Sequence, residues 1–439
     1  MLAAYTLTHI MEEDFTVRRL TRRMGSFMLL IIGVSVSVAM INPGEEKRLI
    51  RKADEAFALE DYKTAKLLYI RAAEVLPTSA EAYYKLGILY VHLNQPKEAK
   101  ANFEQALMLN PLIRNKVLLY LAEAHQQDYE FLEAKSYYEH EKKNAPVMDR
   151  LYQSMLRKRI EECIAGEKIM QLPATGIIAG VGAGINSEYS DYVPVPMEGN
   201  QAMLYTTRRP GKNSLFSEFA GAEQIRISKL KDGAWQASEL FLETQRQMPY
   251  HAVVSVAPNG QELYTFFADK GLHISYKQEN GQWSEPELLN APFNRGPREP
   301  SIYVTDDGKF AFFSSDRAGG YGGLDIYVCY KEANGTWSEA LNLGPEVNTA
   351  YNEEAPFVDF ENNTLYFSSR GHDSMGGYDV FKSSIGGGKW SKAANLGHPV
   401  NSPADDLYFI LNAERNTAYL ASDRPGGLGG KDIYSIVLK

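Results

Sequence analysis

The sequence predicts two successive folds, an N-terminal α-solenoid of three helical repeats and a C-terminal all-β propeller. Five blades are the first choice for the propeller, and six are the alternative. Three observations predict this architecture. Asp325, Asp379 and Asp432 stand 54 and 53 residues apart within closely similar stretches. All four tryptophans fall at one position of that repeat, whereas residues 45–165 carry a helical repeat of 34 residues.

The first 44 residues read as an export segment. Four arginines between positions 18 and 23 precede an uncharged run of 17 residues, 25–41. A basic region followed by a short apolar core is typical of a secretory signal, and 17 residues is the lower limit for a membrane span. We therefore expect residues 1–44 to be a cleaved signal or an uncleaved anchor. The protein is expected in the periplasm or at the outer membrane, and an uncleaved segment would attach it to a membrane.

Residues 45–165 carry the helical repeats. In the middle copy, small and large residues recur at fixed positions: Gly87, Tyr90, Ala99, Phe103, Ala106 and Pro111. The same frame returns 34 residues earlier at Ala65, Tyr69, Ala72 and Pro77, and after a one-residue insertion at Ala134, Tyr138 and Pro146. Small residues allow two helices to approach, and large ones fill the space between them. An amphipathic helix near residues 148–164 would cap the stack.

This pattern resembles the tetratricopeptide repeat. The resemblance implies a concave face, built from the first helix of each repeat, that holds peptides or partner proteins. Tyr84, Lys85 and Asn115 are the candidates for contacts on that face. The alternative is that they are ordinary solvated surface residues.

Residues 166–439 carry the β repeats. The clearest copies read FFSSDR at 312–317, LYFSSR at 365–370 and YLASDR at 419–424, each followed by glycines and then by Asp325, Asp379 or Asp432. Short apolar runs separated by glycine turns predict strands, and about four strands in about 50 residues is the size of a propeller blade. A tryptophan follows the third strand of four units, at Trp235, Trp283, Trp337 and Trp390.

The five units begin near Asp191, Tyr250, Glu299, Glu354 and Asp405. The last unit ends without the tryptophan strand, so its outer strand must come from elsewhere, or an unpaired edge would remain. We expect residues 168–179 to supply that strand and to close the ring. The stretch 166–184 is rich in glycine and alanine and reads as the link between the two folds.

The S-D-R and D-I-Y signatures resemble the TolB-like, WD40-like propeller repeat over about residues 174–439. The residues that carry the signature are expected to be structural: Asp316, Arg317, Asp325, Arg370, Asp379, Asp423, Arg424 and Asp432. An arginine can hold a carboxylate in two parallel hydrogen bonds and so fix a hairpin or the next blade. The alternative, calcium binding by carboxylates beside glycine turns, is disfavoured because each turn also holds an arginine that would repel the ion.

Composition excludes several function classes. A formal net charge of −9 argues against a nucleic-acid partner. Two cysteines, Cys163 and Cys329, cannot build a disulfide framework or a cysteine zinc site. The eight histidines form no metal-binding pair, although His251 and His273 could meet within blade two. With no nucleophile motif either, we expect no enzymatic activity, no cofactor and no metal.

Two function classes remain. The first is a non-catalytic scaffold of the cell envelope, with helices and propeller both binding partner proteins. The second is a propeller that binds or acts on carbohydrate or peptidoglycan, which would need exposed aromatics and a carboxylate pair on one face. The adjacent acids Glu353-Glu354 and Asp405-Asp406 look like turn residues instead.

A signal, tetratricopeptide repeats and a TolB-like propeller together resemble envelope proteins of the Bacteroidetes type. PorE-like members of that group are linked to type IX secretion and gliding and continue into an OmpA-like, peptidoglycan-binding domain. The present sequence ends at Lys439 without that domain, so direct peptidoglycan anchoring is not expected. Other envelope proteins are the expected partners.

A binding site should use residues that break the repeat. Such departures concentrate in the first two blades, where Phe216 and Phe219 lie in an insertion that replaces the usual glycines. Exposed aromatics beside arginines are common in protein-interaction hot spots. The candidates for partner binding on the propeller are therefore Arg208, Arg209, Phe216, Phe219, Tyr250 and His251. The alternative is a locally degenerate blade with a buried loop.

Overall fold

A computed structural model describes residues 43–209, 223–241, 251–257, 259–412, 414 and 416–439. The predicted export segment and the candidates Phe216, Phe219 and Tyr250 lie outside the described residues. Within them, the chain forms two compact units. One ends at Ser79 and the other begins at Ala80.

Among the residues that the structure describes, seven helices precede the strands, as the sequence predicts. They are α1 (Pro43–Ala58), α2 (Tyr62–Val75), α3 (Ala80–His92), α4 (Pro96–Leu109), α5 (Arg114–Gln127), α6 (Phe131–Asn144) and α7 (Arg150–Met170). A short 3-10 turn, Pro111–Ile113, separates α4 from α5. No helix among the described residues combines the length and the apolar composition that crossing a membrane requires.

The first unit is the hairpin of α1 and α2. Ala53 and Ala65 are fully buried between the two helices, and the Tyr69 hydroxyl donates to Asp54 at 2.6 Å. The Asp61 side chain accepts from the Thr64 amide at 3.1 Å and caps α2. The small residues at the repeat positions therefore do what the sequence predicts of them.

In the second unit, glycines allow close contact between paired helices. A Cβ on Gly87 of α3 would lie 2.3 Å from the Phe103 ring of α4, and one on Gly166 of α7 would lie 2.4 Å from the Phe131 ring of α6. Gly166 is thus a packing residue and not part of a link. Helix α7 continues to Met170, beyond the predicted end near residue 164, because its last turns still bury Cys163 and Ile169.

Five antiparallel sheets follow, which confirms the five-blade prediction. Blade 1 holds β2 (Asp191–Met197), β3 (Ala202–Thr207), β4 (Gln224–Lys231), β5 (Ala234–Trp235) and β6 (Glu239–Leu240). Blade 2 holds β7 (His251–Val256), β8 (Glu262–Phe267), β9 (Gly271–Tyr276) and β10 (Glu287–Leu288). Blade 3 holds β11 (Ile302–Val304), β12 (Phe310–Ser315), β13 (Asp325–Tyr330) and β14 (Leu341–Asn342).

Blade 4 holds β15 (Glu353–Asp359), β16 (Thr364–Ser369), β17 (Asp379–Gly386), β18 (Lys389–Trp390) and β19 (Ala394–Asn395). Blade 5 holds β20 (Asp406–Leu411), β21 (Thr417–Ser422), β22 (Asp432–Leu438) and the distant strand β1 (Gly176–Gly180). Strand β1 pairs with β22 in the register Gly176 to Leu438 through Gly180 to Tyr434. The predicted closure is confirmed for residues 176–179, whereas 168–170 end α7.

The tryptophans connect neighbouring blades. Each lies in the outer hairpin that follows the third strand and packs on an aromatic side chain outside its own sheet. The ring pairs are Trp235 with Tyr419, Trp283 with Phe241, Trp337 with Phe293 and Trp390 with Phe312, at 5.8 to 6.4 Å between centroids. Such edge-on pairs add to the burial energy of the rings. Their structural role in the repeat is therefore visible in the contacts.

A repeated asparagine fixes four of the connections between blades. Asn348 accepts from the Ile326 amide at 2.8 Å and donates to the Ile326 carbonyl at 3.0 Å, so its amide replaces one residue of a strand. Three others bind in the same way: Asn186 to Ile433, Asn294 to Leu272 and Asn401 to Val380. These contacts explain why Ile185-Asn186, Val347-Asn348 and Val400-Asn401 resemble one another.

The innermost strands carry bulges. The register shifts in β2, β7, β15 and β20. In three of them a residue other than glycine has a positive φ: Val193 at 53°, Ala355 at 54° and Tyr408 at 59°. This conformation is costly, most of all for a β-branched valine. Bulges of this kind bend the strands around the axis and redirect side chains.

The register in which β1 pairs with β22 predicts that cysteines at two opposed positions will form a disulfide. Ile177 of β1 and Val437 of β22 are direct neighbours and are 65% and 55% exposed. With cysteine at both positions, oxidation should form an intrachain disulfide, because opposed residues of antiparallel strands have Cβ atoms about 4.5–5.5 Å apart. The band should migrate faster on a non-reducing gel, and the native cysteines are both buried. The Ile177→Cys single variant is the control. Failure of the double variant to cross-link would contradict the closure.

Candidate functional site

An arginine at the end of the second strand holds a buried carboxylate of the first strand. Arg424 Nη2 lies 2.5 Å from Asp406 Oδ1, and Arg317 Nη2 lies 2.8 Å from Glu299 Oε1. Both carboxylates are almost fully buried. We call this pair the arginine clamp. Both S-D-R arginines thus make a structural ion pair, but the acid lies at the start of the first strand, as Asp406 does, or just before it, as Glu299 does, and not in the glycine turn.

Blade 1 has the same clamp. Arg209 Nη2 lies 3.2 Å from Asp191 Oδ1, and the guanidinium lies over the Tyr205 ring. The sequence prediction placed Arg209 among the partner-binding residues because blade 1 lacks the S-D-R letters. The contacts instead place it at the position of Arg317, with Thr207 in place of the serine.

Blade 4 departs from this pattern. Gly371 stands at the clamp position, and Glu353 accepts hydrogen bonds from the hydroxyl groups of Thr349 and Ser369, each at 2.7 Å. Arg370 precedes the clamp position by one residue and contacts Asp405 of the next blade at 3.0 Å. Its side chain is 49% exposed, so the predicted equivalence of Arg370 with Arg317 is wrong.

Blade 2 replaces the clamp with aromatic packing. His251 occupies the place of the first-strand acid, is 2% exposed and stacks on Phe267 with 4.7 Å between ring centroids. His273 packs on the same phenylalanine at 4.6 Å. The two histidines do approach one ring, but as packing residues. A buried His251 is not on the surface that the sequence prediction assigned to it.

The repeat aspartates close their glycine turns. Asp325 accepts from the amides of Tyr321 and Gly322 and from the Asn342 side chain. Asp379 accepts from the Met375 amide at 3.1 Å and from Asn395 at 2.6 Å, and Asp432 accepts from the amides of Leu428 and Gly429. Burial raises the pKa of Asp379 well above its ordinary value. These aspartates therefore shape the turns, as the sequence predicts.

The three candidate partner-binding residues on the helices differ in how far they are buried. Tyr84 contacts the rings of Phe103 and Tyr120 at 6.4 and 6.2 Å, and burial raises its pKa to about 12. It is thus a half-buried contact between helices rather than an outward residue. Lys85 is half-buried, and Asn115 is exposed at the start of α5. Their part in partner binding stays a prediction.

Charged residues from four blades meet at one end of the propeller axis, around a cavity of about 440 Å³. We call it the mouth and define it by its polar lining residues: Arg208, Arg298, Arg370, Lys431, Glu223, Glu354, Tyr192, Tyr378 and Tyr408. Of the sequence-predicted binding residues that the structure describes, Arg208 alone is in this set. It lies 3.4 Å from Glu223 and over the Tyr192 ring.

Glu354 is the most buried acid of the mouth. It is 4% exposed, accepts from the Tyr378 hydroxyl at 3.1 Å and lies 3.7 Å from Arg298. Burial raises the pKa of Glu354, while Arg298 opposes this shift. For Asp405, burial raises the pKa, but Lys431 and Arg370 outweigh it and hold the pKa below its ordinary value. The acids of this region are therefore already engaged by cations or by a phenol.

A second cavity lies between the helices α3, α5 and α7 and the propeller. We call this space, of about 650 Å³, the groove. Its helical wall includes Asn94, Gln127 and Leu151, and its propeller wall includes Arg370 and Asp405. Arg370 also lines the mouth, so groove and mouth adjoin at this side chain.

The helices are fixed to blades 4 and 5 by a buried methionine. Met375, at the tip of the blade 4 turn, is fully buried in one cluster with Phe131 and Leu156. Gln126 donates to its carbonyl at 3.3 Å. Asn94 donates to the Asp423 carbonyl at 2.8 Å, so blade 5 is held as well.

A third cavity, of about 440 Å³, continues along the axis from the mouth. The two share Val193, Val254 and Tyr408 as lining residues. Beyond them the wall is mainly apolar, with Val195 and Phe357 among its members. Among the residues that the structure describes, no group of three or more histidine, cysteine, aspartate or glutamate side chains could hold a metal ion.

Comparison with known proteins finds one family model, which matches a helical repeat. Residues 80–113 match the tetratricopeptide repeat family model. The chain is similar to the Sgt2 TPR domain of Aspergillus fumigatus, with 20% identity over 34% of this chain and 98% of that one and a TM-score of 0.25. It is also similar to TolB of Acinetobacter baumannii, with 14% identity over 66% and 70% of the chains and a TM-score of 0.33. A third is an endo-arabinase of Bacteroides thetaiotaomicron, with 14% identity over 61% and 98% and a TM-score of 0.36.

Removing the arginine of a clamp should cause a large loss of stability. Arg424→Gln leaves Asp406 buried without its cation, which should lower the free energy of unfolding by about 3–5 kcal/mol. Arg370→Gln is the matched control, because its ion pair is half-exposed and should be worth at most about 1 kcal/mol. Urea unfolding followed by tryptophan fluorescence measures both. Equal losses in the two variants would contradict the distinction between clamp and mouth arginines.

The two perturbed aspartates predict opposite pH trends. Because the folded-state pKa of Asp379 is raised, wild-type protein loses stability as pH rises through that range, and Asp379→Asn should gain stability relative to wild type from about pH 4 to about pH 8. The pKa of Asp405 is lowered, so the stability that Asp405 contributes is complete above about pH 4 and is lost as pH falls through its folded-state pKa. Asp405→Asn should therefore lose stability relative to wild type as pH rises from about pH 2 to about pH 4, and should show no further relative change above that. Urea midpoints across both pH ranges test the two variants, and trends of the same sign would refute the assignment.

Proposed function

We propose that this protein is a non-catalytic scaffold that holds a partner protein against the mouth and the groove. The observation that carries the proposal is that the two cavities adjoin at Arg370, which lines both. Helices and propeller contribute to one surface, and Met375 fixes their relative position within the second unit. A rigid composite surface loses little freedom on binding, which favours affinity.

The contacts of the paired carboxylates support a binding protein rather than an enzyme that hydrolyses glycans. Of the two adjacent acid pairs, Glu353 and Asp406 are buried within blades 4 and 5 by hydroxyl donors and by the arginine clamp. Glu354 and Asp405 face the cavities but are engaged by Arg298 and by Arg370 with Lys431. A glycoside hydrolase needs one acid to donate a proton and one free base or nucleophile. The tyrosines of the mouth favour glycan binding as the second candidate.

We place the protein in the cell envelope, exported through residues 1–44. The support is the arginine cluster and apolar run of the sequence. Its resemblance to PorE-like envelope proteins makes type IX secretion, gliding or outer-membrane assembly the setting to examine, with other envelope proteins as partners and peptidoglycan as the alternative ligand.

Site-specific photo-cross-linking in the source cells tests the proposal. A photoreactive phenylalanine analogue at Leu151 of the groove, which is 83% exposed, should give a discrete, protease-sensitive adduct. The same analogue at Phe360, 47% exposed and absent from the mouth and groove linings, is the control. Adding Arg208→Ala and Arg298→Ala should abolish the Leu151 adduct, whereas Lys389→Ala on an outer strand should not. Adducts at both sites, at neither, or only with glycan would overturn the scaffold proposal.

A further inference from the structure

We infer that the mouth and groove together bind an extended, acidic segment of a polypeptide, with its carboxylates in the mouth and its backbone along the groove. This inference rests on the proposed function, which it deepens by naming the chemistry of the partner. Its support comes from the charges of the mouth, from their place in the repeat, and from the walls of the groove.

The mouth cations are held loosely compared with the clamp arginines. Arg208 and Arg298 are 49% and 53% exposed and lie 3.4 and 3.7 Å from their acids. Arg317 and Arg424, in contrast, are 15% and 8% exposed and lie 2.8 and 2.5 Å from theirs. A guanidinium has five N–H donors, so one long contact at the edge of a cavity leaves donors for a second carboxylate. Four cations and two acids line the mouth, which favours an anionic ligand.

The position that Arg208 occupies in blade 1 holds different residues in other blades. The position of Arg208 is taken by Asp316 in blade 3 and by Asp423 in blade 5. The clamp arginine, one residue later, is in contrast retained in blades 1, 3 and 5. Since the same fold accepts either sign of charge at the position of Arg208, the repeat itself does not require an arginine there. An arginine that the repeat does not require is available to bind an anionic ligand.

The groove walls suit the backbone and apolar side chains of a peptide. Asn94 and Gln127 place side-chain amides along one wall. Gln127 Oε1 is buried and accepts no hydrogen bond from the described residues, so a ligand N–H that reached it would supply the hydrogen bond it lacks. Leu151 lines the groove and is 83% exposed, and Val147 and Met148, which precede it closely in the chain, are 84% and 88% exposed. An exposed aliphatic side chain in the groove wall favours apolar side chains of a polypeptide over sugar rings, which prefer flat aromatic faces.

An extended segment can satisfy both sets of groups at once. Successive residues of an extended chain point to opposite sides, so backbone groups can reach the amides while side chains cover Leu151. Arg370 joins the two cavities, and the acidic end of the segment then meets Arg370, Arg298 and Arg208 in turn. Peptide recognition of this kind combines main-chain hydrogen bonds with pockets for side chains.

The test uses the full chain and a fluorescein-labelled octapeptide pool. The last three positions of the acidic pool are Asp or Glu, and those of the matched pool are Asn or Gln. We expect the acidic pool to bind at least about tenfold more tightly, since one charge-assisted contact is worth about that factor. Binding should weaken as salt rises from about 0.05 M to about 0.5 M, because the mouth is partly solvated. Equal binding of the two pools, or of neither, would overturn the inference.

Variants then locate the site. Arg208→Ala and Arg298→Ala should each weaken binding of the acidic pool by roughly tenfold, and Leu151→Ser should weaken both pools equally. Lys389→Ala is the matched control, with expected wild-type affinity. All four side chains are exposed, with Arg208 and Arg298 at 49% and 53%, so unfolding is not expected, and urea midpoints check this. Wild-type affinity in both arginine variants would refute the mouth as the anion site.

Two further parts of the experiment distinguish a side-chain carboxylate from a C-terminal carboxylate and from the carboxylate of a glycan. C-terminal amidation of the acidic pool should leave binding within about threefold if side-chain carboxylates dominate, and loss of binding would overturn that assignment in favour of a terminal carboxylate. Trigalacturonic acid replaces the peptide in the last arm. If it binds and the acidic pool does not, the ligand is a glycan and the inference fails. A mouth-dependent protein adduct in cells, with no binding of either peptide pool, would sustain the scaffold and refute only the acidic segment.

Discussion

The pairing of β1 with β22 is the constraint on which the propeller depends. Without it, the last blade would expose the whole edge of β22, and an unpaired edge invites association with other chains. The pairing also brings Asn186 to Ile433, so blade 5 and blade 1 are joined like any other two neighbours. Once the ring is closed, five innermost strands surround one axis. Arg208 and Lys431, from opposite ends of the repeat array, then line the same cavity.

Features that every blade needs were predictable from the sequence, because they recur. The tryptophans pack between blades, and the aspartates close glycine turns through backbone amides. The arginines show the limit of that reasoning. SSR in blade 4 resembles SDR in blade 3, but strand pairing aligns Ser369 with Asp379 as it aligns Ser315 with Asp325. Arg370 therefore corresponds to Asp316, and the blade 1 clamp falls on Arg209.

The mouth could not be predicted in the same way, because its residues come from different positions of different blades. Arg298 precedes a first strand, Lys431 precedes a third strand, and Glu354 lies within a bulge. Only closure of the ring and bending of the innermost strands bring them together. His251 shows that a residue that breaks the repeat can be mistaken for a binding residue. It breaks the repeat, yet it compensates inside blade 2 for a missing ion pair by stacking on Phe267. A departure from a repeat is thus evidence of binding only where the side chain reaches solvent.

The turn that follows the second strand shows how one repeat position can acquire an interaction role. Tyr321 in blade 3, Met375 in blade 4 and Leu428 in blade 5 occupy the same place before a pair of glycines. Tyr321 and Leu428 are 52% and 59% exposed, whereas Met375 is fully buried among the helices. An apolar side chain on a rigid glycine turn protrudes from the blade, and its burial is worth about 1.5–3 kcal/mol. In blade 4 that energy holds the helices beside the mouth, and so creates the groove.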